Sequence, residues 1–262
     1  MKKKAFQLLH YIAYLLRAKN THGVHSPFVF DFLNKVIYTP HSFYAYEEVE
    51  TIREKMLHSE DHVHFIDMGA GALEKKNEAR SVKNIARYSV KPSKYGQLLF
   101  RIANYFQPKN ILELGTSLGI TTSYLHAGCA EANIATIEGC PEVAVLAQKN
   151  WEALKYNNIS LHVGNFDQVL PVLLKEAQQL DLVFFDGNHR KQATLHYFYK
   201  CLEKSHERSV FVLDDIYWSR EMKEAWEEIK ACEQVSVTVD LFFMGIVFFR
   251  KGQVKEDFVI RY

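Results

Sequence analysis

The chain has 262 residues, 48% of them hydrophobic, with 32 Lys and Arg against 31 Asp and Glu. That length can bury a core without a disulfide or metal staple, and that apolar content at a net charge of +1 excludes disorder as the dominant state. The balance of charge also leaves no whole-chain electrostatic footprint for nucleic acid, so no nucleic-acid partner is expected.

The N-terminal stretch MKKKAFQLLHYIAYLLRAKN imitates a secretory leader in its basic start. Its longest clean apolar run is only Tyr11 to Leu16, and no small-residue cleavage site follows. The pattern predicts an amphipathic helix over about 4–18, docked on the domain in preference to a membrane surface. No run reaches the length of a transmembrane span, and no membrane partner is expected. Ser26 and Pro27 suit the cap and first turn of a second helix. His62 to Asp67 alternates like a short strand, and the charged stretch after it is helical in its second half. Asp67-Met-Gly-Ala-Gly71 imitates a nucleoside-binding turn, but no acid-ended strand follows at the right distance, residues 87–90 being Arg-Tyr-Ser-Val. A structural or lid role is expected for it. Residues 1–92 thus read as a mainly helical extension, and residues 93–262 as the main domain.

From there the pattern is regular. Gly96 to Phe106 is an amphipathic helix, with Pro108 marking its exit. Strands are predicted at Asn110–Gly115, Ile134–Glu138, Ile159–Val163, Leu180–Phe185 and Ser209–Leu213. Each is followed by a helix: Ile120–Ala127, Pro141–Leu154, Phe166–Ala177, Lys191–Glu203 and Arg220–Cys232. Two further strands, Val235–Leu241 and Gly245–Phe249, then stand in succession. Strand–helix alternation at this spacing means a parallel sheet with helices on both faces. The last connection, Phe242 to Met244, is too short for a parallel crossover, so that pair is antiparallel. The expected fold is a doubly wound α/β sheet of seven strands, mostly parallel with one antiparallel strand, behind a helical extension.

In such a sheet ligands bind beyond the carboxyl ends of the strands. The candidates are Glu113-Leu-Gly-Thr-Ser-Leu-Gly119, Glu138, Gly164-Asn-Phe-Asp167, Asp186-Gly-Asn-His189 and the pair Asp214–Asp215. Glycines in the first turn let a ligand approach the backbone, and the next helix presents free N–H groups. Glu138, ending the next strand, is placed to grip two ribose hydroxyls. A nicotinamide enzyme would usually carry G-x-G-x-x-G for close approach to a pyrophosphate, whereas Ser117 stands at the middle glycine here. A carboxylate at Glu113 would repel pyrophosphate and suit an ammonium. S-adenosylmethionine carries an ammonium, a sulfonium and a ribose but no phosphate, and fits this acidic rim better than NAD.

On these residues the chain resembles the class I S-adenosylmethionine-dependent methyltransferases over about residues 92–250. Gly96-Gln-Leu-Leu ahead of Ile111-Leu-Glu-Leu-Gly-Thr-Ser-Leu-Gly119 is similar to the small-molecule O-methyltransferases of the catechol and caffeoyl-CoA type. Asp186-Gly-Asn-His189 is similar to a branch with an Asp-Gly-x-His signature, which includes macrolide-sugar O-methyltransferases. The resemblance implies that Glu113, Gly115, Thr116, Ser117 and Gly119 frame the cofactor's amino-acid end. It implies that Glu138 binds the ribose and that Asn165 and Phe166 border the adenine, with Asp167 the nearest acid. It gives Asp186 a place at the cofactor and in catalysis, and makes His189 the general base that takes a hydroxyl proton.

Clustered carboxylates repel unless protonated or bridged by a cation, and hard oxygen donors suit Mg²⁺ or Ca²⁺. Asp186, Asp214 and Asp215 are the candidate ligands. The related metal-dependent enzymes use Asp, Asp and Asn, so Asp215 is a departure. Against a metal role, Asp214 or Asp215 could simply cap the following helix. Trp218 is the better candidate for a substrate contact, and Tyr217 either walls the acceptor pocket or packs the crossover.

The expected function is methyl transfer to the hydroxyl of a small molecule. The rivals are a nucleic-acid or protein methyltransferase, a non-catalytic cofactor-binding protein of this fold, and an NAD-dependent oxidoreductase. The extension covers the acceptor site or forms a homodimer contact. Cys129, Cys140, Cys201 and Cys232 are too far apart for a zinc knuckle or redox dithiol, and fit reduced thiols in the cytoplasm.

Overall fold

The computed structural model describes residues 2–66 and 77–262. The glycine-bearing stretch Asp67–Gly71 lies outside them. The chain is α/β and forms two compact units: Met1–Ile37 with Leu174–Tyr262, and Tyr38–Leu173.

The first unit opens with α1 (Lys2–Arg17) and α2 (Pro27–Phe32), the latter continued by a π-helical turn over Leu33–Ile37. The predicted cap is present: Ser26 Oγ accepts the Val29 N–H at 3.4 Å and Pro27 opens the helix.

The second unit begins with α3 (Tyr44–Leu57) and the antiparallel hairpin β1 (His62–Ile66) and β2 (Asn77–Ser81), then α4 (Val82–Tyr88) and α5 (Ser93–Phe106). The alternating series follows: β3 (Asn110–Leu114), α6 (Ile120–Gly128), β4 (Asn133–Glu138), α7 (Pro141–Leu154), β5 (Ile159–Val163) and α8 (Phe166–Glu176). Strands β3, β4 and β5 lie side by side and parallel, with Leu112 opposite Ala135 and Ala135 opposite Ser160. Helix α5 ends because Gln107 takes the left-handed conformation (φ 48°) and Pro108 follows. The reading of the sequence passed over α3, although its buried Tyr46, Val49, Ile52 and Met56 form a helical stripe diluted by charged neighbours. That stripe meets Val82 and Ile85 of α4, Phe100 of α5 and Tyr124 of α6 in one core.

The first unit resumes with β6 (Leu182–Phe185), α9 (Lys191–Leu202), β7 (Val210–Asp214), α10 (Arg220–Ala231), β8 (Val237–Asp240), β9 (Met244–Phe248) and β10 (Glu256–Val259). Its strands lie in the order β6, β7, β9, β8, β10. Strands β6 and β7 are parallel, and β9 runs antiparallel to both β7 and β8, as the short connection requires. Every residue of β6, β7, β8 and β9 is buried, which is why β6 and β9 read as continuous apolar runs. Strand β10 is an addition to the strands read from the sequence. Its residues Glu-Asp-Phe-Val carry no alternation, and backbone pairing places them: β10 is parallel to β8, and Lys19 N–H donates to the Val259 carbonyl at 2.8 Å.

Gly96 shows why a close helix contact needs glycine. A Cβ there would stand 2.4 Å from the ring of Tyr124, which is buried and held through its hydroxyl by Glu50 Oε1 at 2.6 Å. Gly96→Ala should therefore destabilise the fold by about 1–3 kcal/mol through overpacking, although alanine is the better helix former by about 1 kcal/mol. Urea unfolding followed by circular dichroism measures it; an unchanged or raised midpoint would show that the ring has room.

Candidate functional site

In the second unit the turn after β3 is built around two glutamates. Gly115 (φ 110°), Ser117 (φ 48°) and Gly119 (φ 75°) all take positive φ, folding the chain tightly between strand and helix. The Gly119 conformation suits glycine, and a Cβ there would stand 2.7 Å from Trp151 Nε1, whose N–H donates to the Gly119 carbonyl at 3.0 Å. Glu138, at the tip of β4, accepts the Ser117 N–H on Oε2 at 2.7 Å and the Cys140 N–H on Oε1 at 2.8 Å. The turn and the acid that the sequence paired at a distance are thus in direct contact. Burial pushes the Glu138 carboxyl above its ordinary value, and the amides of Cys140, Ser117 and Gly139 pull it back in part.

Glu113 sits differently from the exposed acidic rim expected of it. It is fully buried, and its Oε2 accepts the hydroxyls of Thr122 at 2.5 Å and Thr136 at 2.6 Å. The Thr116 hydroxyl lies 2.6 Å from that of Thr136, so Thr116 and Glu113 belong to one buried network beneath the turn. Asn165 starts α8, its side chain accepting the Asp167 N–H at 2.8 Å, with Phe166 half-buried and Asp167 exposed beside it.

In the first unit the tips of β6 and β7 carry the acids. Asp186 and His189 are half-buried, with His189 Nε2 3.6 Å from Asp186 Oδ1, and Asp214 is buried. One ligand atom from each of Asp186, His189 and Asp214 lies within 4.8 Å of the others. The turn is held by Asn188 in the left-handed conformation, its amide donating to the Tyr197 hydroxyl at 3.0 Å. The gathered trio differs from the expected one in holding His189 where Asp215 was named. Asp215 has φ 54°; its N–H donates to the Phe243 carbonyl at 2.7 Å and its carbonyl accepts the Trp218 N–H at 2.8 Å.

Lys3 is a residue that the sequence reading missed. Its Nζ stands 3.0 Å from the centroid of the Trp218 ring; burial lowers its pKa and the Asp215 charge raises it. No spacing signal links positions so far apart. Trp218 is exposed on its remaining surface, and the His189 ring lies 6.4 Å from it, centroid to centroid. Tyr217 packs the crossover: its hydroxyl donates to Asp240 Oδ2 at 2.7 Å and its ring stacks on Phe242 at 4.9 Å. A cleft of about 590 Å³ bounded by Phe6, His10, Lys191, Arg220 and Glu224 includes none of the predicted site residues, and Arg220 and Lys191 are paired with Glu224 at 3.0 and 3.7 Å.

Parts of the chain are similar to known proteins. Residues 112–216 match a family model described as a methyltransferase domain. The catechol O-methyltransferase of Niastella koreensis is 32% identical over 131 residues, which are 49% of this chain and 58% of that relative. The matched stretch thus spans little more than half of that protein's length. Among solved structures, the O-methyltransferase TomG of Streptomyces achromogenes, in complex with SAM, superposes with a TM-score of 0.57 at 18% identity, covering 80% of this chain and 91% of that one. An O-methyltransferase of Bacillus cereus in complex with SAH gives 0.56 at 18% identity, over 83% and 96%. The SAH-bound methyltransferase PaMTH1 of Podospora anserina gives 0.60 at 14% identity, over 82% and 92%. At these identities the structural likeness is one of fold.

The Glu138 contacts make a pH prediction. A carboxyl whose folded pKa is raised favours the folded state when protonated. Its contribution to stability is greatest below the unfolded pKa and is lost as pH rises through the folded one. The difference in unfolding free energy between the parent and Glu138→Gln should fall with rising pH across that window. Denaturant titrations at stepped pH measure it, and a difference that rises instead would contradict the direction of the shift.

Proposed function

We propose that this chain, which carries a methyltransferase domain over residues 112–216, transfers a methyl group from S-adenosylmethionine to a hydroxyl of a small molecule. The observation that carries this reading is the Glu138 carboxylate. It stands at the tip of β4 against the turn, its oxygens accepting the Ser117 and Cys140 N–H groups, where a strand-end acid suits ribose hydroxyls. In this reading Gly115, Thr116, Ser117 and Gly119 hold the amino-acid end of the cofactor, with Glu113 buried beneath the turn. Asn165 and Phe166 border the adenine, and Asp186 stands beside His189. When bound, the cofactor supplies a methyl group activated on a sulfonium.

The chain's own contribution to the chemistry is positioning and proton removal. His189 accepts the acceptor's hydroxyl proton, and Asp186 Oδ1 stands 3.6 Å from its Nε2. Asp186, Asp214 and His189 also fit a divalent cation such as Mg²⁺ or Ca²⁺, because two carboxylates and an imidazole offer donors within 4.8 Å of one another. Asp215 is the further carboxylate that the resemblance nominates. A bound cation would supply positive charge that acidifies the hydroxyl. A single imidazole nitrogen cannot hold both a cation and that proton, so metal dependence decides which role His189 takes. The four cysteines are free, three of them buried, which supports a cytoplasmic location. Among the described residues no helix is long and apolar enough to cross a membrane.

His189→Ala should lower turnover by about 10²–10⁴-fold while the affinity for S-adenosylhomocysteine, measured by calorimetry, stays nearly constant. Binding of NAD in place of S-adenosylmethionine would overturn the reading. Metal dependence is read by chelation followed by Mg²⁺ titration. Restoration of turnover in the parent but not in Asp214→Ala assigns the cation, and full activity after chelation removes it.

A further inference from the structure

We propose that α1 is a docking surface for an anionic phospholipid membrane. The helix is seated on its own unit by its polar and aromatic side. Tyr14 is buried, its hydroxyl donating to the Ile260 carbonyl at 2.5 Å and accepting the Tyr262 N–H at 3.0 Å. From that same side Gln7 reaches the Trp218 carbonyl at 3.4 Å, and Lys3 lies over the Trp218 ring.

The opposite side is apolar and uncovered. Leu8, Leu9, Ile12 and Leu16 are 60%, 66%, 48% and 83% exposed. At 100° per residue these positions fall within a stripe about 100° wide, the width a helix normally turns towards a core. An outer helix docked in the ordinary way would hide that stripe and show Tyr14 and His10 to water. Here the arrangement is reversed, and the stripe costs free energy until something apolar covers it.

Charge selects what covers it. Residues 2–30 carry Lys2, Lys3, Lys4, Arg17 and Lys19, and the first acid is Asp31. Lys4, Arg17 and Lys19 are exposed, and Arg17 closes the helix. A second copy of α1 laid on the stripe would set cations against cations. A lipid surface with anionic headgroups complements both properties, taking the leucines between its acyl chains and the cations among its phosphates. With sixteen residues and a basic end α1 would lie in the interface and not span it. The buried side of α1 then keeps its hold on Trp218, so the membrane contact and the strand-tip residues belong to the same unit.

Flotation of the full chain with lipid vesicles tests the surface. The protein should float with vesicles of phosphatidylcholine mixed with phosphatidylglycerol, remain behind with phosphatidylcholine alone, and be released by high salt. The double variant Leu9→Glu, Ile12→Glu should bind the mixed vesicles at least about tenfold more weakly. Lys4→Glu with Arg17→Glu should erase the preference for the anionic lipid. These side chains are exposed, so thermal melting should match that of the parent and confirm that the variants fold. Failure of the parent to float with the mixed vesicles would overturn the proposal. So would undiminished binding by the Leu9 and Ile12 variant, or a solution dimer that this variant disperses.

Discussion

A strand-to-helix turn in which three residues take positive φ leaves amide N–H groups that regular structure cannot satisfy. In this chain Glu138 answers that need. Its carboxylate takes the Ser117 N–H on one oxygen and the Cys140 N–H on the other, tying the exit of β3 to the exit of β4. Hydrogen bonds to a charged group contribute about 1.5–3 kcal/mol each, set here against the cost of burying the carboxyl. Beneath it, Glu113 accepts the hydroxyls of Thr122 and Thr136 on one oxygen, Oε2. Two acids thus play different parts around one loop: Glu113 supports it from below, and Glu138 closes its side.

The first unit solves a different problem. Its strands β6 and β7 are buried throughout, so their tips are where polar chemistry can begin. Asp186, His189 and Asp214 gather there. Burying Asp214 is unfavourable for an isolated charge, and an imidazole or a cation close by relieves it. Lys3 extends the same neighbourhood by covering one side of Trp218, and α1 is fastened to the far end of the chain through Tyr14 and β10.

Much of the frame was legible in the sequence because it follows from local rules. Ser26 with Pro27, Pro141 at the start of α7 and Pro108 after α5 mark helix ends by their own geometry. The alternating series and the antiparallel β9 follow from spacing and from a connection too short to cross over. The partnership of the Gly115–Gly119 turn with Glu138 also came from register along adjacent strands. What escaped has an identifiable cause. Six of the fourteen residues of helix α3 are charged, and its apolar stripe is visible only against the core it meets. Strands β2 and β10 are polar and short, and each exists because a neighbour's backbone pairs with it.

The sequence by itself determined the α/β series, the turn chemistry and the identity of the acids at the strand tips, because those depend on neighbours within a few residues. Only the tertiary structure decided which way each side chain faces. It buried Glu113 where an exposed rim was expected, it gathered His189 with Asp186 and Asp214, and it brought Lys3 to Trp218. It also turned the apolar stripe of α1 outwards. The physical reason is common to all of these: the facing of a side chain depends on residues far away in the chain that compete for the same space, hydrogen bonds and charge, and periodicity carries no record of that competition.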